Sequence, residues 1–207
     1  MKKVSTIILL MTAWMVCSSF FFANTVSIQV EASADDATQN SSNAVSLSIV
    51  VSPIANFNAP TNSRWGGARF LNVDIPRGAR IIAATMVTSD TAGSTVIDAT
   101  LFAEASDNAA TFTTAASSIS NRTRTSASVE WDVANTNLGN NISPDVSSLI
   151  QEVVLRNGWT PNNAIVIIAS INSSSSTSSM ISFNGNPTKA ATLNVTYTRR
   201  RVWSTVF

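Results

Sequence analysis

Ala127-Ser128-Val129-Glu130-Trp131-Asp132-Val133 alternates without a break: Ala127, Val129, Trp131 and Val133 fall on one side of an extended chain, Ser128, Glu130 and Asp132 on the other. Successive side chains of a strand point to opposite faces, so a period of two marks a strand with one buried and one wetted face. That is the pattern of antiparallel sheets. Near the C-terminus Leu193, Val195 and Tyr197 alternate in the same way with Asn194, Thr196 and Thr198. Ala164-Ile165-Val166-Ile167-Ile168-Ala169 is apolar on both faces, as a strand in the middle of a sandwich should be.

Outward from these runs, further short β-type segments recur between Gly, Pro, Asn and Ser punctuation. They cover 46–51, 68–75, 80–88, 95–103 and 180–183. Pro76-Arg77-Gly78 ends the second with a turn signal, and Ser89-Asp90-Thr91-Ala92-Gly93 sits between the third and fourth as a hairpin connection would. One helix stands out. Ser143 is placed to cap it, Pro144 suits its first turn, and Asp145 complements its dipole. Val146, Leu149, Ile150, Val153 and Val154 then form an apolar stripe, and Gly158 follows as a C-terminal stop. The expected fold is all-β: a jelly-roll-like antiparallel β-sandwich with one amphipathic helix at about 144–157.

The N-terminus reads as an export signal. Lys2 and Lys3 precede a mostly apolar stretch over 4–23, and Ala32-Ser33-Ala34 supplies a small-residue cleavage site. A retained membrane anchor competes with this, because about 20 apolar residues can span a bilayer. A lipid anchor on Cys17 is disfavoured by the bulky Trp14-Met15-Val16 before it. The expected organisation is a signal peptide over 1–34, a flexible polar leader over 35–44, a β-sandwich domain over 45–198 and a C-terminal tail over 199–207. The expected location is secreted: extracellular or at the cell surface, with membrane contact only through an uncleaved signal.

Composition narrows the chemistry. The 207-residue chain has no histidine, and its only cysteine, Cys17, lies in the apolar run. Ser-His-Asp and Cys-His triads, thiolate or imidazole metal sites and disulfides are thereby excluded from the exported part. Thirteen basic and twelve acidic residues nearly cancel, which argues against nucleic acid as a partner. Only 12% of residues are charged. A neutral surface rich in hydroxyls and amides suits sugar binding or self-packing.

Several segments taken together follow a known pattern: Ala68-Arg69-Phe70, Ile75-Pro76-Arg77-Gly78-Ala79-Arg80-Ile81, Val129-Glu130-Trp131, the run 144–154, Gly158-Trp159 and Asn163-Ala164-Ile165. Over about 45–198 the chain resembles the exported β-sandwich modules of the DNRLRE type and related carbohydrate-binding-module-like domains of bacterial surface proteins. The resemblance implies a β-sandwich and, in some members, binding of acidic polysaccharide. It carries no residue-level binding motif onto this chain.

Trp131 and Tyr197 alternate inward and belong to the core, and Trp159 is placed to pack the helix end onto a sheet. Arg64 and Trp65, in Asn62-Ser63-Arg64-Trp65-Gly66-Gly67, read as a glycine-containing loop where an aromatic ring beside arginine could hold a sugar. Arg122 and Arg124 share one side of an extended run and form a candidate clamp for a carboxylate or sulfate. The alternatives are a Trp65 that plugs the end of the sandwich and arginines paired with surface acids. Asp98, Glu104, Asp107 and Asn108 are the oxygen donors on which a calcium ion could draw, without the regular acidic spacing of a calcium loop. No cofactor is expected. Glu130 and Asp132, two residues apart on a wet strand face, read as solvated acids rather than a catalytic pair. The expected function is a secreted, non-catalytic β-sandwich module for polysaccharide binding or cell-surface adhesion, partnered by a polysaccharide or cell-surface glycan. The alternatives are a structural subunit of an extracellular fibre or coat, joined to other copies through edge strands, and a polysaccharide-active enzyme.

Overall fold

A computed structural model describes residues 23–48, 63–90, 96–134, 139–172 and 180–199. In chain order its strands are β1 (Ala23–Gln29), β2 (Asp36–Asn40), β3 (Val45–Ser46), β4 (Ser63–Phe70), β5 (Arg80–Asp90), β6 (Ile97–Ala103), β7 (Val129–Val133) and β8 (Gly139–Ile142). The helix α1 (Ser147–Val154) follows, then β9 (Ile165–Ile171) and β10 (Thr192–Thr198). The strands form two antiparallel sheets, ordered β1-β10-β5-β8 and β3-β2-β4-β9-β6-β7. Because the chain changes sheet on entering β2, β5, β6, β8, β9 and β10, the connectivity is that of a jelly roll, and the fold is the all-β sandwich with one helix that the alternation implies.

Inward-facing residues of both sheets meet in one core. Phe70, Met86, Leu101, Trp131, Ile167, Leu193, Val195 and Tyr197 are buried in it. Trp131 and Trp159 are each 1% exposed, and the Trp159 indole N–H donates to the Ile75 carbonyl at 2.8 Å. The Tyr197 hydroxyl donates to the Asp74 carbonyl at 3.0 Å. The helix closes the seam between the sheets on one side. Val146, Leu149, Ile150, Val153 and Val154 enter the core, while Glu152 accepts the Ser126 and Ala127 amides that lead into β7.

The start of α1 corrects the expected one. Ser143 does not cap the helix; its hydroxyl accepts the Met86 amide at 2.9 Å, extending the β8 pairing along β5. Asp145 accepts the Ala84 amide and the Ser147 amide and hydroxyl. Partial burial works against its charge, but those three donors outweigh it and hold the carboxyl below its ordinary value. Gly158 is no left-handed stop either: a Cβ there would sit 2.1 Å from the Asp107 carboxylate.

Three further expectations are overturned. Residues 35–44 are not a flexible leader, because they contain β2, with Asp35 through Gln39 buried. A cut after Ala34 would detach β1, which runs beside β10 for seven residue pairs and delivers Val30 to the core. The sandwich therefore reaches back to Ala23 rather than beginning at 45. The segment Ser89-Gly93 does not join a hairpin, since β5 and β6 belong to different sheets. Of 180–183, only Met180 and Ile181 pair, as isolated bridges rather than a strand: Met180 opposite Asp90, with the Ile181 amide donating to the Ser89 carbonyl at 2.7 Å. The expected signal residues 1–22, strand residues 49–51, turn residues 91–93 and tail residues 200–207 lie outside the described residues. Among the described residues no helix is long and apolar enough to cross a membrane.

Candidate functional site

Among the described residues, the outer face of the six-stranded sheet is divided into a covered and an open half. The chain between β6 and β7 folds over the first half, where Phe112 and Ile119 pack with Ala37, Ala109, Ala164, Val166 and Ile168 as a second core. Three side chains fasten this flap. Arg69 donates to the Ala109 carbonyl at 2.8 Å and pairs with Asp35 at 2.7 Å. Gln39 accepts the Ile119 and Ser120 amides and donates to the Ser120 hydroxyl. Arg122 pairs with Glu104, donates to the Ala110, Thr111 and Ser118 carbonyls, and lies 4.4 Å over the Phe112 ring.

Gly67 explains how the flap seats so closely. A Cβ built there would lie 2.3 Å from the tip of the Phe112 ring. This glycine belongs to a strand, not to the loop expected over 62–67, and it serves the packing of a neighbour. Gly67→Ala is expected to displace Phe112 and cost about 1–3 kcal/mol, the usual range for overpacking. In a Phe112→Ala background the same substitution should cost almost nothing. Chemical denaturation of the two singles and the double variant measures this coupling.

The candidate site begins at the border of the two halves, where Trp65 packs against the second core, and runs onto the open half. Trp65, Ser170, Thr100 and Glu130 lie in one register row across β4, β9, β6 and β7. Phe102, two residues along β6 from Thr100 and on the same face, shares the Arg124 guanidinium with Trp65. The exposed Arg124 guanidinium lies over both rings, 4.9 Å from the Trp65 centroid and 5.5 Å from that of Phe102, with one N–H on the Ser120 carbonyl. Next to this stack the Glu130 carboxylate accepts from the Thr100 hydroxyl at 3.0 Å and from the Asn172 amide at 3.1 Å. The result is a strip on which two aromatic rings capped by one guanidinium adjoin hydroxyl, amide and carboxylate groups.

The residues named from sequence separate on this frame. Trp65 and Arg124 come together. Arg122 does not join them, because its guanidinium is turned into the flap and occupied there. The same-side clamp of Arg122 and Arg124 therefore does not form: alternation fails in the irregular chain before β7. Arg64 is exposed at the bulge where β4 carries an extra residue against β2, between the pairs Gln39–Trp65 and Asn40–Ser63. The four suggested calcium donors are dispersed. Glu104 serves Arg122, Asp107 pairs with Arg156 at 2.6 Å, Asn108 accepts the Ala164 amide, and Asp98 sits opposite Asp132. Among the described residues no three His, Cys, Asp or Glu side chains converge as metal ligands.

Phe102, Thr100, Ser170 and Asn172 are the members that sequence reasoning missed. Alternation places Thr100 and Phe102 outward, but only the cross-strand register brings them beside Trp65. No protein-family profile matches the chain, and no curated protein matches it either.

Proposed function

We propose that this chain is a non-catalytic, exported β-sandwich module that binds a polysaccharide or cell-surface glycan on the open half of its six-stranded sheet. The observation that carries this is the Trp65–Arg124–Phe102 stack beside the Thr100–Glu130–Asn172 row. A pyranose offers an apolar C–H face to an aromatic plane and a rim of hydroxyls to charged and amide groups, and both halves of that chemistry are adjacent here. The resemblance to carbohydrate-binding-module-like domains points the same way. An export signal compatible with this fold ends before β1, within 1–22, rather than at Ala34.

Binding to a polysaccharide panel, followed by titration calorimetry on any polymer retained, tests the proposal. Trp65→Ala and Arg124→Ala are expected to weaken binding by about tenfold or more each, the loss of one well-placed contact. The unfolding midpoint of Arg124→Ala should stay close to that of the parent because Arg124 is exposed, whereas Trp65→Ala also gives up packing against the second core, so its binding is measured well below its own midpoint. Parent protein that is folded and retains no polymer overturns the proposal.

A further inference from the structure

The chain is nearly neutral, with thirteen basic and twelve acidic residues, but its charges are unevenly spread. Asp98, Glu130 and Asp132 sit on β6 and β7 of the six-stranded sheet. A group of arginines gathers instead at the end of the four-stranded sheet where β1 begins and β10 finishes. Arg80 opens β5 opposite Thr198, Thr198 stands opposite Ala23, and Arg199 follows Thr198 directly. Arg77 lies three residues before Arg80, in a turn where Gly78 is left-handed (φ 73°) and donates its amide to the Val154 carbonyl at 3.0 Å.

Arg77, Arg80 and Arg199 are all exposed. Arg77 reaches the Asn157 side-chain oxygen at 3.4 Å, a neutral partner. Among the described residues none of the three arginines pairs with a carboxylate. The loop over 71–79 holds one acid, Asp74. Arg200 and Arg201 continue the basic run, and the flanking segments 1–22 and 200–207 contain no aspartate or glutamate. Those segments therefore bring no acid side chain that could cancel the patch. Uncompensated like charges repel one another, and a surface of opposite sign removes that cost.

We propose that this end of the sandwich, built on Arg77, Arg80 and Arg199, docks on an anionic lipid bilayer. Two sequence features favour a bilayer over a soluble polyanion. The mostly apolar N-terminal run leads into Ala23, at this same end, and Val202-Trp203-Ser204-Thr205-Val206-Phe207 follows the arginines. Basic residues next to apolar chain with Trp and Phe have the composition of a membrane interface, where cations meet anionic headgroups and aromatic rings sit at their level. A soluble polyanion would use the charges alone. The row from Trp65 to Glu130 belongs to the other sheet, so a docked molecule keeps that strip clear of the lipid.

Co-sedimentation of the full chain with vesicles of phosphatidylcholine alone, and of phosphatidylcholine mixed with phosphatidylserine, tests this. The apolar run contributes to both, so the ratio of the two uptakes isolates the charge. The mixed vesicles are expected to bind the chain about tenfold or more tightly at low salt, with the preference shrinking as salt rises. Arg77→Gln combined with Arg80→Gln should reduce that preference by about tenfold or more and leave the circular dichroism spectrum unchanged. Lys189→Gln, an exposed charge just before β10 at its other end, should leave the preference intact. Should the double variant misfold, Arg199→Gln with Arg200→Gln and Arg201→Gln, beyond the last strand, is expected to show the same loss. Equal uptake by the two vesicles overturns the proposal, and retention on heparin in that case makes the partner a soluble polyanion. A preference unmoved by the arginine variants overturns it as well. None of these readouts depends on glycan binding.

Discussion

Arg122→Ala is expected to destabilise the fold by about 3–5 kcal/mol, the cost of leaving a buried charge partner and several acceptors without their donor. For a chain of this size that corresponds to a fall of about 10 °C or more in Tm. The guanidinium binds Glu104, reaches the carbonyls of Ala110, Thr111 and Ser118, and covers Phe112, so its removal unfastens the flap at five points. Arg122→Lys should recover only a minor part of the loss, because a point-like ammonium cannot reproduce a planar fork spread over several acceptors. Thermal unfolding of both variants beside Trp65→Ala is the measurement. An Arg122→Ala protein as stable as the parent would remove the flap from the list of structural supports. The expected outcome also means that a loss of glycan binding in Arg122→Ala would say nothing about a binding arginine.

Stability is expected to decline as pH rises from about 4 to about 6, through Asp36. Burial of this carboxyl raises its pKa from 3.8 to about 6; the Phe183 amide, donating at 2.6 Å, works in the opposite direction, and the neighbouring Asp35 charge adds to the rise. The unfolded chain releases this proton near 3.8, whereas the folded chain keeps it until about 6. Between those values the folded state binds more protons, so stability falls with rising pH and levels off above the folded value. The gap between the two values corresponds to about 3 kcal/mol. Asp36→Asn keeps an acceptor for the Phe183 amide and removes the titration. Its advantage over the parent should therefore grow by up to about 3 kcal/mol from pH 4 to pH 8. Asp145, held below its ordinary value, contributes in the opposite sense: its stabilisation is lost as pH falls through its depressed folded value, at more acidic pH. Urea unfolding of parent and variant across this range decides the matter, and parallel pH profiles would discard the assignment to Asp36.

What the sequence disclosed, and what it hid, follows from the range of the forces involved. Period-two alternation is a local consequence of the extended backbone, and it identified β7 and β10 and the burial of Trp131 and Tyr197; the 3.6-residue period, equally local, identified the apolar stripe of α1. β1 obeys the same rule, with Val26, Ile28 and Val30 against Ser27, Gln29 and Glu31. Its signal merges with the apolar run just before it, which is why a cleavage site at Ala34 looked natural. β2 is harder still. Asp35-Asp36-Ala37-Thr38-Gln39-Asn40 has the composition of a solvated linker, yet Asp35 finds Arg69, Asp36 finds the Phe183 amide and Gln39 finds the flap. A buried polar strand is stable when its partners are in place, and those partners are remote in sequence. The site shows the same division. Trp65 and Arg124 could be named as chemical types, but their approach to one another and to Phe102 depends on cross-strand register. Arg122 followed the same local pattern as Arg124 and was drawn into the flap instead.

The position of β10 governs when the molecule can fold. It lies between β1 and β5, and the Thr25–Thr196 contact joins residues 171 apart. Until the segment Thr192–Thr198 leaves the ribosome, β1 and the β5–β8 pair have no shared neighbour, and the four-stranded sheet cannot close. Completion of this sandwich consequently waits on pairings remote in sequence, which give the fold a high contact order and slow folding kinetics.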